Sequence, residues 1–387
     1  MKLHNNIVEA IILSLKEIFE QNKYADKVIE RILKSNPKWG GRDRRFIAET
    51  TYDIVRWHRL LVKVAETDVN DFQKIFSAYC IMKGLADNAI VTKKIEQAKL
   101  NRKIGESIPD WMDELGVSEL GEEKWAKEIH SLNEEAKVIL RANTLKVAKE
   151  KLRDLFQKED VVTEPVAGSI DALVLSKRKN IFTSSAFKEG LFEVQDASSQ
   201  LVAPFMNLKE GMRVIDACAG AGGKTLHIAA LMNNKGKIIA LDSEGWKLEE
   251  LRKRARRAGA SNIETRTIDS SKVIKRLENT ADRLLLDVPC SGLGVLRRNP
   301  DAKWKLSPEF FEQVKALQQK ILNDYSILLK KGGLMTYSTC SILPSENEIQ
   351  IQHFLSDKKN EFELEEQLTV YPSEGFDGFF MARIKKK

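Results

Sequence analysis

Cys290 closes the stretch Leu284-Leu285-Leu286-Asp287-Val288-Pro289-Cys290, and Cys340 closes Leu334-Met335-Thr336-Tyr337-Ser338-Thr339-Cys340. Each cysteine follows a short apolar run, and each is followed by serine, Ser291 or Ser341. A single cysteine is usually a small buried hydrophobe, and Cys80, inside an apolar helical stretch, takes that reading. Two cysteines at the ends of neighbouring strands are harder to explain by packing. A thiolate held at such an edge is a nucleophile. It can add to an electron-poor ring carbon and later leave, provided another group handles a proton on the ring. Asp287, at the same edge, is of the right type for that general-acid work. Spacing does not say which cysteine attacks.

A second cluster precedes them. The run Asp216-Ala217-Cys218-Ala219-Gly220-Ala221-Gly222-Gly223-Lys224-Thr225 follows the apolar Val214-Ile215. A glycine-rich turn from strand to helix brings backbone close to a ligand and aims a helix N-terminus at it. A phosphate-binding loop would need glycine at Cys218, and a dinucleotide fingerprint would need it at Thr225, so both patterns fail. A loop for a nucleoside-bearing cofactor remains. Asp242 ends the next apolar run, where a carboxylate can accept from both ribose hydroxyls. Asp269 ends the one after, placed to meet an adenine amino group. Singly, either aspartate reads as a helix cap; beside the glycine loop, the ligand reading is the stronger.

These residues need a sheet to carry them. From Gly211 onward, apolar runs at Val214–Asp216, Ile238–Asp242, Ile263–Ile268, Leu284–Asp287 and Leu334–Tyr337 alternate with helical stretches, notably Glu244–Ala258 and Pro308–Lys330. That pattern predicts a mostly parallel sheet covered on both faces. Between Ala136 and Val202, two short strand-like runs, Val138–Arg141 and Leu173–Leu175, flank a helix at Val147–Phe156, which predicts a small α+β subdomain. The first third is helical throughout: Ile7, Ile11, Leu15, Ile18 and Phe19 share one face. Further helices are expected at Asp26–Leu33, across Ile47, Ile54, Val55 and Leu61, at Asp71–Leu85 and at Asn88–Leu100. Pro37 and Gly40-Gly41 break the chain between the second and third.

The chain has 387 residues, 42% hydrophobic and 31% charged, with a formal net charge of +7. That length implies several domains. Its four cysteines, Cys80, Cys218, Cys290 and Cys340, have neither the spacing of a disulfide framework nor that of a metal site, so no metal is expected. Free thiols suit a reducing, cytoplasmic setting. No run approaches a membrane span, and Ile7–Leu15, interrupted by Glu9, reads as an amphipathic helix rather than a secretory core. A monomer is the plain expectation.

At its motif residues the chain resembles the RNA cytosine-5 methyltransferases of the RsmB (Fmu) and Nol1/Nop2/Sun family. The likeness covers roughly Ala136 to Lys387. It rests on Val194-Gln195-Asp196-Ala197-Ser198-Ser199, the Asp216–Thr225 loop, the two cysteine motifs and the ending Asp377-Gly378-Phe379-Phe380-Met381-Ala382-Arg383. The resemblance implies a Rossmann-like α/β domain at 206–387 using S-adenosylmethionine, a small RNA-recognition-like α+β subdomain at 131–205, and an all-helical NusB-like RNA-binding domain at 1–130. The last likeness is weaker and lies in Arg42-Asp43-Arg44-Arg45-Phe46 through Tyr52 to Arg56-Trp57. By the same resemblance Cys340 is the nucleophile, adding to carbon 6 of a cytosine so that carbon 5 takes the methyl group. Cys290 assists release of the product, and Asp287 contacts the target base. Cys218, Ala219, Gly220, Ala221, Gly222, Gly223 and Lys224 would hold the cofactor, with Asp242, Asp269 and Asp287 beside them.

Two departures stand out. The family loop has Ala-Pro where this chain has Gly220-Ala221, a change expected to loosen the loop, and Val288 replaces an alanine. The implied substrate is ribosomal RNA of the small subunit, with transfer RNA as the same chemistry on another target. A non-catalytic RNA-binding ribosome assembly factor is the reading from a different class, and a methyltransferase of proteins or small molecules gives no reason for two edge cysteines. Among basic residues, Lys38–Arg45 is one cluster, and Arg252–Arg257 reads as a solvated helix face. Arg297 and Arg298 are expected to meet RNA phosphates. Trp304 is expected either to stack on a base or to plug its loop onto the protein.

Overall fold

The computed structural model describes residues 4–387. Two compact units divide it: the residues up to Glu135 together with Leu296–Pro308, and Ala136–Val295 with Glu309–Lys387.

The first unit is helical. Its chain forms Asn5–Phe19, Ala25–Ser35, Gly41–Arg56, His58–Ala65, Phe72–Met82, Ala89–Lys99, Arg102–Gly105, Asp110–Leu120 and Glu122–Leu132. The expected stripe of the first helix is its buried face, with Ile7, Ile11, Leu15 and Ile18 at most 2% exposed. The periodic run through Ile54 and Leu61 is two helices parted at Trp57. Several of the hydrogen bonds lost at that break are replaced from elsewhere in the unit. Arg59 N–H donates to Ser107 Oγ at 2.9 Å. The Val55 carbonyl accepts from the Trp304 indole at 2.8 Å, and that of Arg56 from Lys303 Nζ at 2.9 Å. Buried backbone polar groups need such partners.

Lys303 and Trp304 belong to the strap Leu296–Pro308, which leaves the other unit to complete this one. Asp301 Oδ2 accepts the Ala25 N–H at 3.0 Å, capping a helix whose own N-cap, Tyr24, makes no side-chain bond. Arg297 Nη2 donates to the Ser131 carbonyl at 2.9 Å near the end of another helix. A carboxylate at a helix start and cations at helix ends also match the helix dipoles. Lys303 is 1% exposed, and burial first, then the Arg56 charge, pushes its ammonium well below the ordinary range. Arg297, expected to face RNA, is 3% exposed inside this unit, and Trp304 packs against its hydrophobic core. For Trp304 the plug is therefore the reading that holds. Arg298 is half-buried.

The second unit carries two sheets. The smaller has strands β1 (Ile139–Ala142), β2 (Thr163–Pro165), β3 (Ala172–Leu175) and β4 (Phe192–Val194), in the order β2-β3-β1-β4. Its ladders are antiparallel, and the helix Lys149–Lys158 packs Leu152 and Phe156 onto it. The larger has β5 (Arg213–Asp216), β6 (Lys237–Asp242), β7 (Ile263–Thr267), β8 (Ala281–Asp287), β9 (Leu329–Thr339), β10 (Phe362–Val370) and β11 (Phe379–Lys386). Their order is β10-β11-β9-β8-β5-β6-β7, parallel from β9 to β7, with β11 and β10 added antiparallel. The five parallel strands stand where the apolar runs predicted them, in a Rossmann-like arrangement. After β5 the chain builds outward to β7, then returns to β8 on the other side of β5. Ligands bind above the carboxyl ends of strands at such a reversal. Among the described residues, no helix is long and apolar enough to cross a membrane.

Candidate active site

The carboxyl edge of β5, β6, β8 and β9 gathers most of the residues singled out by sequence. Asp216 ends β5 with its side chain sealed in: Oδ2 accepts the Thr225 hydroxyl at 2.7 Å, while Oδ1 has no partner among the described residues. Burial pushes its carboxyl up to about 7. The loop beyond keeps the sheet's pairing for three residues, with Ala217 N–H on the Leu285 carbonyl and Ala219 N–H on that of Leu241. Gly220 and Gly222 then take φ +53° and +86°, left-handed backbone that favours glycine. A Cβ on Gly222 would lie 2.4 Å from Leu251 Cγ, so the helix Gly245–Ala258 can approach only a glycine there.

Asp242, at the end of β6, accepts from Gly220 N–H at 2.9 Å through Oδ2 and from Glu244 N–H at 2.8 Å through Oδ1. Each oxygen retains a lone pair for a ligand hydroxyl. Asp269 lies two residues past β7, exposed, with Oδ1 accepting from the Ser270 hydroxyl at 3.1 Å. Cys218 is a thiol pushed well above its usual value, by burial first and then by the charges of Asp216, Asp287 and Asp242. Carboxylates that crowd one thiol are also a good setting for a cation. The donors and charges on this edge thus fit S-adenosylmethionine, which carries two ribose hydroxyls, a sulfonium and an ammonium.

Asp287 ends β8, in register with Ser338 of β9. Its Oδ2 takes a hydrogen bond from Lys224 Nζ at 2.7 Å, and its Oδ1 one from the Ser338 hydroxyl at 2.9 Å. Lys224 is therefore the partner of Asp287; it also lies 4.8 Å from the centre of the Phe379 ring. The two cysteines meet, with Cys290 Sγ 3.3 Å from Cys340 Sγ. The contact with Cys340, then burial, pushes the Cys290 thiol well above its ordinary value. Their loops are laced together through backbone: Gly294 N–H donates to the Cys340 carbonyl at 2.9 Å, and Gly378 N–H to the Gly294 carbonyl at 2.7 Å. The ending that begins at Asp377 thus closes over both cysteine loops.

Sequence reasoning missed two groups that hold this edge. Glu346, fully buried in a short 3-10 turn at Pro344–Glu346, accepts from the residues that follow both cysteines. Ser291 donates its N–H at 2.7 Å and its hydroxyl at 2.5 Å; Ser341 donates its hydroxyl at 2.5 Å; Gln318 Nε2 donates at 3.2 Å. The paired serines after the cysteines were the available signal. The second group braces the cofactor loop. Arg254 Nη1 donates to the Ala221 carbonyl and Arg141 Nη1 to that of Gly223, both at 2.8 Å. Glu193 on β4 takes Arg254 at 2.8 Å and Arg257 at 2.6 Å. The basic run at Arg252–Arg257 is therefore no simple solvated face, since two of its arginines turn inward.

Comparison with known proteins follows the same lines. The family description "16S rRNA methyltransferase RsmB/F" matches residues 203–385, and that of an RsmF/B-like ferredoxin-like domain matches 108–182. The chain is 32% identical to a probable ribosomal RNA small subunit methyltransferase B of Synechocystis sp., across 97% of this chain and 98% of that protein. Among solved structures, that of PH0851 superposes over 100% of both chains with a TM-score of 0.83 at 24% identity, a likeness of fold. A methyltransferase homolog protein from Pyrococcus horikoshii gives 0.65 at 26% identity, covering 74% of this chain and 97% of that one.

Proposed function

The chain belongs to the RsmB/F family of 16S rRNA methyltransferases, and from that premise we propose that it methylates carbon 5 of a cytosine in small-subunit ribosomal RNA, with Cys340 as nucleophile. It is an S-adenosylmethionine-dependent RNA methyltransferase; the base, the carbon and the residue roles are the proposal. The observation that carries it is the meeting of two thiols, 3.3 Å apart, at the strand edge that also holds Asp287 and the carboxylate-lined loop.

S-adenosylmethionine supplies the methyl group as an electrophile. Carbon 5 of cytosine is too poor a nucleophile to take it unaided. Cys340 adds as thiolate to carbon 6, which places electron density on carbon 5 and lets the methyl bond form. The carbon 5 proton then passes to solvent water, and its electron pair expels the Cys340 thiolate and restores the aromatic ring. Cys290, whose raised thiol keeps its proton, is suited to give that proton to the departing Cys340 sulfur 3.3 Å away. Asp287, held between Lys224 and Ser338, presents acceptor lone pairs suited to the exocyclic amino group of cytosine, which uracil lacks. Delivery of a proton to ring nitrogen 3 would require the Lys224 contact to open. The target base has to leave its stack to reach this edge. Cys218–Lys224, Asp242 and Asp269 are the residues that would hold the cofactor.

The test is transfer of labelled methyl groups to unmodified small-subunit ribosomal RNA, followed by bisulfite sequencing. One protected cytosine is expected, absent with Cys340→Ala, while calorimetry shows cofactor affinity within about threefold of the parent, because no cofactor contact is lost. Turnover by Cys340→Ala would overturn the assignment of the nucleophile. Cys290→Ala is expected to accumulate a covalent enzyme–RNA band on a denaturing gel, and its absence would remove the release role.

A further inference from the structure

Four donors converge on one buried carboxylate, that of Glu346, and no cation is among them. Ser291 gives it an N–H and a hydroxyl, Ser341 a hydroxyl, and Gln318 an amide N–H. Two of these contacts, the Ser291 N–H and the Gln318 amide, can only donate, and the two hydroxyls lie within hydrogen-bond distance of the same carboxylate. The side chain is fully buried, and its own backbone carbonyl accepts the Tyr337 hydroxyl at 2.7 Å. The turn is pinned further because Thr339 Oγ1 donates to Asn347 Oδ1 at 2.5 Å, and Asn347 Nδ2 to the Ser341 carbonyl at 3.1 Å. A negative charge held by neutral donors in a dry interior acts over several ångströms.

We propose that Glu346 is a positioning residue for the reaction: it ties the Cys290 loop to the Cys340 loop, and its fixed charge behind Cys290 keeps the shared proton there, leaving Cys340 as the thiol that attacks. The inference deepens the reading in which Cys340 is the nucleophile and Cys290 handles protons, and rests on it. Geometry alone makes the two sulfurs equivalent, since either could donate across 3.3 Å. Their settings are not equivalent. Ser291 is held to Glu346 by two bonds, one from backbone, whereas Ser341 makes one through its hydroxyl. The titratable groups that act on Cys290 are Cys340 and Glu346, with the Tyr337 hydroxyl nearby. Asp287, three residues earlier on the chain, is occupied by Lys224 and Ser338. Among the causes that raise the Cys290 thiol, the Cys340 contact and burial come first and the charges of Cys340 and Glu346 follow, so Glu346 adds to a bias it does not create alone.

The experiment is alkylation of the full chain by iodoacetamide from pH 6 to 10, without RNA, read peptide by peptide by mass spectrometry. In the parent, Cys340 is expected to react before Cys290. In Glu346→Gln the charge goes and most of the shape stays. There Cys290 is expected to alkylate at lower pH, its midpoint falling by about one unit, which is about tenfold in rate at fixed pH. Glu346→Asp, which keeps the charge, is expected to keep the order. Identical profiles in the parent and Glu346→Gln would overturn the proposal. Should Glu346→Gln fail to fold, Ser291→Ala decides: it takes one hydroxyl from the carboxylate and slackens the tie to the Cys290 loop, so the gap between the two alkylation rates is expected to narrow, and an unchanged gap would overturn the proposal. Because the readout needs no RNA, it succeeds or fails separately from the cytosine-5 assignment.

Discussion

A methyl group added at Gly220 and one added at Gly222 meet different surroundings. Both glycines have positive φ, but the Gly220 Cβ would meet nothing within 4 Å, whereas that of Gly222 would run into Leu251. Gly220→Ala is expected to cost about 1 kcal/mol in urea unfolding, the price of the left-handed backbone. Gly222→Ala should cost about 2–4 kcal/mol, because overpacking adds to that strain. The departure from the family's Ala-Pro thus places glycine where this backbone favours it, and the loosening expected from sequence is offset by the held carbonyls of Ala221 and Gly223. Asp216 gives a pH signature. Its carboxyl sits at about 7 when folded, above its ordinary value, so between about pH 4 and 7 the native state binds a proton the unfolded chain has released. Stability should therefore fall as pH rises through that window. Asp216→Asn is expected to flatten the fall, gaining more over the parent at pH 8 than at pH 5 in paired melts; equal gains would refute it. At this scale the chemistry-bearing types were legible, since Asp287, Cys290 and Cys340 are distinctive and share a strand edge. Glu346 was not, because a four-donor carboxylate is defined by what folds around it rather than by its neighbours in sequence.

Strands β5 to β9 could be read from apolar runs because both faces of a covered parallel sheet are buried. Strands β10 and β11 could not. β10 is an edge strand whose middle, from Glu363 to Leu368, is exposed and carries Glu363, Glu365 and Glu366, so no alternation marks it. β11 opens with the buried run Phe379–Ala382, legible as a motif but not as an antiparallel partner of β9. The small sheet was half legible for a similar reason: β2 and β4 have three residues each, too few for a period. Those short strands nevertheless reach the cofactor loop, through Arg141 on β1 and through Glu193 on β4. Arg254→Met, which retains the bulk of the stem, should weaken S-adenosylmethionine binding about tenfold by calorimetry, the usual cost of one charged hydrogen bond. Glu193→Gln, which only slackens the arginines, should do so less. Unchanged affinity in both would show that the loop holds itself.

For the whole molecule, the strap is the feature that linear reading could not supply. Hydrophobic periodicity tells that Trp304 wants burial, not that its partners are Phe19, His58 and Val55 from the first sixty residues. Residues 1–135 made alone would lack the Asp301 cap, the Lys303 and Trp304 bonds and the Trp304 ring. Such a fragment is expected to melt broadly and without cooperativity, and a peptide of residues 296–308 added in excess should sharpen and raise the transition. A sharp transition without the peptide would show that the strap merely decorates a self-sufficient unit.

The same strap sets a timetable. During synthesis the helical segments emerge first, yet the residues that cap and plug them follow roughly 170 positions later, which at 5–20 residues per second is about ten to thirty seconds. On that timetable the partners of the Trp304 ring and the helix ends capped by Asp301 and Lys303 wait through that interval for the strap. Completion of the first unit then coincides with emergence of the stretch just past Cys290, so that unit is complete only once one of the two edge thiols has been translated.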